Sequence, residues 1–183
     1  RLKKNFPESV KYDLSLDTTT AITAGIREII ITLFIALALV ILVVFIFIQD
    51  WRATIIPTLA IPVSLVGAFI FFPLLGFTIN TLSLLGLVLA IGIVVDDAIV
   101  VVEAVQVNIE KGMTTKEATN DAMAKVSAPV IATTLVLIAV FVPVAGMVGI
   151  TGILYQQFAI TIVVSVMVSS VNALSLSPAL CSI

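Results

Sequence analysis

The sequence predicts an all-α membrane protein, a bundle of five transmembrane helices preceded by a short remnant of a water-soluble domain. Three observations predict it. Of the 183 residues, 61% are hydrophobic and only 11% charged, against about 25% charged in an ordinary globular domain, so there is too little polar surface to cover a water-facing body. Residues 29–48, 53–95 and 126–183 carry no charge at all, and each run is long enough to cross about 30 Å of hydrocarbon at least once. Mean hydropathy over the chain is +1.28.

Residues 1–28 form the one long polar stretch. Within it Val10-Lys11-Tyr12-Asp13-Leu14-Ser15-Leu16 alternates with the period-2 pattern of a half-buried strand, and Asp17-Thr18-Thr19-Thr20 supplies polar capping residues ahead of a helix. This is expected to be the last strand of a soluble domain leading into the membrane. With Arg1 rather than Met first, and no signal-peptide pattern before the first apolar run, the chain is expected to be a piece of a longer polypeptide.

The first transmembrane helix is expected at about 29–48 and the second at about 53–75, joined by the polar turn Gln49-Asp50-Trp51-Arg52. Pro57, Pro62 and Pro73 fall in the second. Proline is tolerated in membrane helices where neighbours satisfy the freed carbonyls, and packing kinks are the expected result. Gly76-Phe77-Thr78-Ile79-Asn80 turns the chain into a third helix at about 81–107. Residues 108–126 are the charged connector, in which Thr114 and Glu117 fit a capping box that opens a short helix along the membrane surface. The final uncharged 58 residues suit two helices, at about 127–147 and 157–177. Their expected break is Gly146 to Gly152, with Tyr155-Gln156-Gln157 starting the last span and Pro178 ending it. Five spans put Arg52, Lys111, Lys116 and Lys125 on one side, which the positive-inside rule makes cytoplasmic. The basic residues before Arg27 are expected to belong to a folded external domain, and such domains translocate regardless of charge.

Composition also excludes. There is no His and only one Cys, Cys181, which removes His-based metal sites, His general bases and an intrachain disulfide. The net charge of −2 comes without a basic patch, so nucleic acid is not an expected partner.

The chemistry is concentrated in Gly92-Ile93-Val94-Val95-Asp96-Asp97-Ala98-Ile99-Val100-Val101-Val102-Glu103. An ionised carboxylate near a bilayer centre costs at least roughly 2.5–3.5 kcal/mol, and two adjacent ones repel, so an intramembrane acid pair marks a functional site. At about 100° per residue, Asp97 shares a stripe with Gly86, Ala90 and Ile93. Glycine and alanine there let a neighbouring helix approach closely. Asp96 falls on a second stripe with Gly92 and, seven residues on, Glu103, a possible accessory acid. Both aspartates are expected to face the bundle interior. Burial favours a neutral carboxyl, whereas a nearby cation favours the charged one. No basic residue of the chain lies at that depth, so either one aspartate holds a proton at rest or a cation comes from a helix elsewhere. A carboxyl whose proton affinity follows a movable cation is a proton-coupling device. Three other readings compete. A neutral acid pair would simply bond helices together. An intramembrane aspartyl protease needs its two acids on different helices converging on one bond, whereas adjacent residues diverge. A hard-cation site needs more than two carboxylate ligands.

The run from Gly86 to Glu103 closely resembles the fourth transmembrane helix of the resistance–nodulation–division exporters, hydrophobe/amphiphile type. The likeness continues collinearly in Asp17-Thr18-Thr19, Trp51-Arg52-Ala53-Thr54-Ile55-Ile56-Pro57, Phe141-Val142-Pro143, Tyr155-Gln156-Gln157-Phe158 and Ser177-Pro178-Ala179-Leu180. The resemblance implies helices two to six of a twelve-helix proton/drug antiporter of the Gram-negative inner membrane, a secondary transporter rather than an enzyme. Residues 1–28 would then be the end of the periplasmic porter domain and 29–183 the transmembrane domain. It implies that Asp96 and Asp97 are the proton-relay pair, with the proton as coupling ion and no cofactor or metal. The implied partners are membrane lipid, a second transmembrane half carrying the basic relay residue, two further copies in a homotrimer, a periplasmic adaptor and an outer-membrane channel. Amphiphilic drugs would bind outside this stretch. Heavy-metal exporters of the superfamily usually have one Asp followed by small residues here, so Asp97 argues for the drug-exporting branch over export of metal ions or lipids. Asn172, in an apolar span, departs from members with an aliphatic residue and is expected to make an interhelical hydrogen bond.

Overall fold

The computed structural model describes residues 19–182. They form α1 (Thr19–Ile48), α2 (Trp51–Leu74), α3 (Thr81–Glu110), α4 (Thr115–Ala145) and α5 (Gly149–Cys181). All five are long and apolar enough to cross a membrane, as the uncharged runs require. The expected strand at residues 10–16 and the caps Asp17 and Thr18 lie outside the described residues.

The helix ends depart from expectation in three places. First, α1 starts at Thr19, ahead of the apolar run. The Thr23 and Thr32 hydroxyls donate to the Thr19 and Glu28 carbonyls one turn back, so the polar residues ride on the helix rather than breaking it. Second, the surface helix and the fourth span are one continuous helix. The Thr114–Glu117 capping box forms as predicted: the Glu117 amide donates to Thr114 Oγ1 at 3.4 Å, and Glu117 Oε2 accepts from the Thr114 amide at 3.3 Å. Beyond it nothing stops the helix. Pro129 removes one backbone donor but does not end the helix, which runs on to Ala145. Third, α5 starts at Gly149 rather than at about 157 and runs through Pro178 to Cys181. The α4–α5 turn is tight: Gly149 has φ +89, and a Cβ on Gly152 would lie 2.2 Å from the Met147 carbonyl oxygen. A turn that short leaves no residues to hold Tyr155 outside the helix.

The α2–α3 turn follows its sequence closely. Gly76 takes φ +69, a left-handed value that glycine adopts without strain. Asn80 Oδ1 accepts from the Leu82 and Ser83 amides at 3.0 and 2.9 Å, while Ser83 Oγ accepts from the Asn80 amide at 2.9 Å. The amide end of Asn80 donates to Gln157 on α5.

Between helices in lipid, close van der Waals contact and hydrogen bonds replace the hydrophobic driving force, so small residues decide which helices meet. α3 and α5 form the centre, α2 and α4 pack against both, and α1 packs against α2 and α3. Ala68 and Phe72 of α2 meet Leu84 and Leu87 of α3 and Val164 of α5. On the other side Val101 of α3, Val130 of α4 and Ala173 of α5 form a second contact. Cys181 packs near Val105, Ala118 and Ala122, which brings the end of α5 to the α3–α4 corner. Phe34, Ile35 and Phe47 of α1 point outward, as a lipid-facing surface requires.

Polar groups fasten this frame at intervals. Asn108, buried at the end of α3, donates to the Ala118 carbonyl at 3.1 Å and to Asp121 Oδ2 at 2.9 Å, which pins the α3–α4 corner. Asn172 of α5 donates to Ser64 Oγ of α2 at 2.9 Å, the interhelical bond expected of it. Replacing Asn172 by Val and Ser64 by Ala, singly and together, is expected to give a coupling energy of about 0.6 kcal/mol and not above about 1.7 kcal/mol, measured by a double-mutant cycle on unfolding in detergent micelles. A coupling of zero would mean that the bond does not contribute to the folded bundle in micelles.

Candidate functional site

Asp96 and Asp97 lie in mid-helix. At 1.5 Å per residue they are about 24 Å from the Thr81 end of α3 and about 20 Å from its Glu110 end. The nearest basic residues along the chain stand at helix ends, because residues 53–95 and 126–183 carry none.

Asp97 is turned inward and is 9% exposed. Its Oδ2 accepts from the Ser169 hydroxyl of α5 at 3.0 Å. The same hydroxyl lies 3.0 Å from the Val94 carbonyl oxygen, one turn back on α3. The helix approach that makes this reach possible comes from the stripe seen in the sequence. A Cβ on Gly86 would sit 3.2 Å from the Phe158 carbonyl oxygen and 3.4 Å from Thr161 Cβ. Ala90 is wholly buried. Gly86 and Ala90 therefore set the distance between α3 and α5, and Asp97 meets the partner helix further along that contact.

Asp96 and Gly92 correct the expectation. Among the described residues Asp96 is exposed, and a Cβ on Gly92 would meet nothing within 4 Å. The reason is the arrangement of neighbours: α1 and α4 flank α3 without touching each other, so the face of α3 between them stays open. Asp96 lines grooves on both sides of that face. One, of about 490 Å³, runs between α3 and α4 past Asp97, Pro129, Val130 and Thr133. The other, of about 210 Å³, runs between α3 and α1 past Leu39, Val43 and Gly92. Glu103 is exposed on the same open face, about 10 Å along the axis from Asp96. It lines a groove with Gln106 and Glu110 and another with Lys111 and Lys125, so it is not part of the pair's immediate surroundings.

Ser169 was not singled out by sequence reasoning, although a signal existed. Thr161, Ser165, Ser169, Ala173 and Ser177 recur every fourth residue along α5, and all are buried. Such a stripe of small and hydroxyl residues marks the face that a neighbouring helix covers. Thr161 and Ser165 donate back to carbonyls of their own helix, whereas Ser169 reaches across to α3.

The arrangement thus holds one carboxyl sequestered against a hydroxyl at mid-depth and its neighbour on an open groove. Such a pair can take up and release a proton without either group leaving α3. Along residues 1–183 the chain matches the AcrB/AcrD/AcrF family. It is 48% identical over 183 residues to the multidrug resistance protein MdtF of Escherichia coli (strain K12). It is 46% identical over 182 residues to the multidrug export protein AcrF of the same strain, and 46% identical over 180 residues to the solvent-resistant pump membrane transporter SrpB of Pseudomonas putida. These alignments take in 100%, 99% and 98% of the chain and 18%, 18% and 17% of the respective relatives. The chain therefore spans less than a fifth of the length of the curated relatives it matches.

Proposed function

The chain belongs to the AcrB/AcrD/AcrF family, and we propose that it forms a membrane portion of a proton-driven multidrug exporter, with Asp96 and Asp97 as the groups that bind the proton. The observation that carries this reading is the placing of Asp97: a carboxyl buried midway along a helix long and apolar enough to span a membrane, against a single hydroxyl and beside a second carboxyl that opens onto a groove. The names of the relatives, which speak of multidrug resistance, multidrug export and a solvent-resistant pump, support the class of cargo.

In this reading a proton arriving from the outer face binds at the pair, lowers its negative charge by one and weakens its attraction for a basic residue. That residue sits on a second transmembrane half packed over the open face of α3. The change in attraction shifts helix packing and drives a distant drug-binding region, which is coupling between two separate sites. The transporter acts as a secondary antiporter in the Gram-negative inner membrane. It works as a homotrimer with a periplasmic adaptor and an outer-membrane channel, and it binds amphiphilic drugs outside this chain.

The test is dye efflux by the full-length transporter in proteoliposomes. An imposed pH gradient alone is expected to energise export, and a protonophore is expected to stop it. Export that persists at full rate with the proton gradient collapsed would overturn the proposal.

A further inference from the structure

We infer that Ser169 is a positioning residue that lets Asp97 change protonation state while α3 and α5 stay in contact; this deepens the proton-binding reading above and rests on it. The geometry is one hydroxyl between two acceptors. Ser169 Oγ lies 3.0 Å from Asp97 Oδ2 and 3.0 Å from the Val94 carbonyl oxygen, yet a serine hydroxyl has a single proton to donate. It therefore serves one acceptor at a time, and which one depends on Asp97.

With Asp97 ionised, the hydroxyl proton points at its carboxylate and forms a charge-assisted hydrogen bond. When a proton binds Asp97, a new O–H is formed on the carboxyl and that group becomes a donor. Ser169 Oγ then accepts from it and turns its own proton to the Val94 carbonyl. That carbonyl has a second lone pair free beyond its helical bond. A rotation about the Cβ–Oγ bond thus exchanges one fully bonded arrangement for another. Neither helix has to move, and no buried group is stranded in either state, which is the condition under which a buried polar site is inexpensive.

Few other groups act on Asp97. On α3 its titratable neighbour is Asp96. α4 faces it across the groove with Pro129, Val130 and Thr133. Residues 29–48 of α1 and 53–74 of α2 carry no titratable side chain, and on α5 Tyr155 and Cys181 lie towards opposite ends, each at least 12 residues from Ser169. Ser169 is the one side chain recorded as hydrogen-bonded to the Asp97 carboxyl among the described residues.

The experiment compares Ser169→Ala, Ser169→Cys and Asp97→Asn in the full-length transporter, at matched membrane levels and after measuring thermal stability. The readouts are the pH profile of proton-driven dye efflux and the infrared carboxyl band that disappears in Asp97→Asn. Removing the hydroxyl in Ser169→Ala is expected to displace the pH midpoint by about one unit, a tenfold change in proton affinity, and to move the carboxyl band. Ser169→Cys, which keeps a weak donor, is expected to fall between Ala and parent on both readouts. Superimposed profiles and an unmoved band in both serine variants, with Asp97→Asn inactive, would overturn the role of Ser169 alone. Retained proton-driven efflux in Asp97→Asn would overturn the proton-binding reading itself.

Discussion

Asp97→Asn is expected to reduce proton-driven efflux to the level of cells lacking the transporter, with the amount of assembled protein unchanged. Asparagine matches aspartate in size, and its carbonyl still accepts the Ser169 hydroxyl that holds Asp97 at 3.0 Å. The contact between α3 and α5 is set by Gly86 and Ala90, which the substitution leaves alone. What is lost is the ability to bind and release a proton. An amide is in effect a carboxyl locked in its neutral state, so the attraction of the pair for a cation would be permanently weakened and would no longer follow the proton at position 97. The measurement is dye efflux from cells at matched membrane levels, with thermal stability of the purified protein as the control. Asp96→Asn is expected to lose efflux as well if the two carboxyls share the proton, and to disturb stability less, because Asp96 stands on the open face. Retained efflux in Asp97→Asn would make Asp97 a structural polar contact. The proton step would then move to Asp96 or be given up.

Much of this frame is legible in the sequence because the bilayer imposes it. An uncharged run of the right length has one stable form in hydrocarbon, so the existence, order and number of the helices follow from residues 29–48, 53–95 and 126–183. Local signals are legible too: the box at Thr114 and Glu117 lies within one turn, and it forms. The helix ends are less so. At Pro178 and across residues 125–129, hydropathy changes where the helix does not, since a helix continues through a polar surface or a proline whenever nothing competes for its backbone. At the site, periodicity gives the angle between Asp96 and Asp97 but not which neighbour fills each angle. The Gly86–Ala90 stripe identifies a close contact, and α5 supplies it. Gly92 carries the same small-residue signal and faces the open groove, because α1 and α4 stop short of each other there. Ser169 is distant in sequence from Asp97, and only the packing of α3 on α5 joins them.

Gly86→Leu is expected to be among the most disruptive single changes in the bundle, because it attacks that packing directly. The nearest obstacle to a Cβ at position 86 is the Phe158 carbonyl oxygen at 3.2 Å, and backbone cannot rotate out of the way as a side chain can. The Phe158 ring and Thr161, each at 3.4 Å, close the remaining space. A single methyl in Gly86→Ala asks the neighbours to give by a few tenths of an ångström. A leucine has to separate the helices, and overpacking of this kind costs about 1–3 kcal/mol. The separation is transmitted along α5. The Ser169 hydroxyl has little slack at 3.0 Å from Asp97, and a shift of half an ångström or so takes it past hydrogen-bonding range. Stability and efflux are therefore expected to fall together, in the order parent, Gly86→Ala, Gly86→Leu. Thermal unfolding in detergent and dye efflux at matched protein levels measure the two. Gly92→Ala serves as the contrast: with nothing within 4 Å among the described residues, it is expected to leave the α3–α5 contact and its contribution to stability intact. Parent-like stability and efflux in Gly86→Leu would mean that α3 and α5 are not held at this distance. The hydroxyl beside Asp97 would then be an incidental neighbour, and the proton site would have to be sought on the open face of α3 alone.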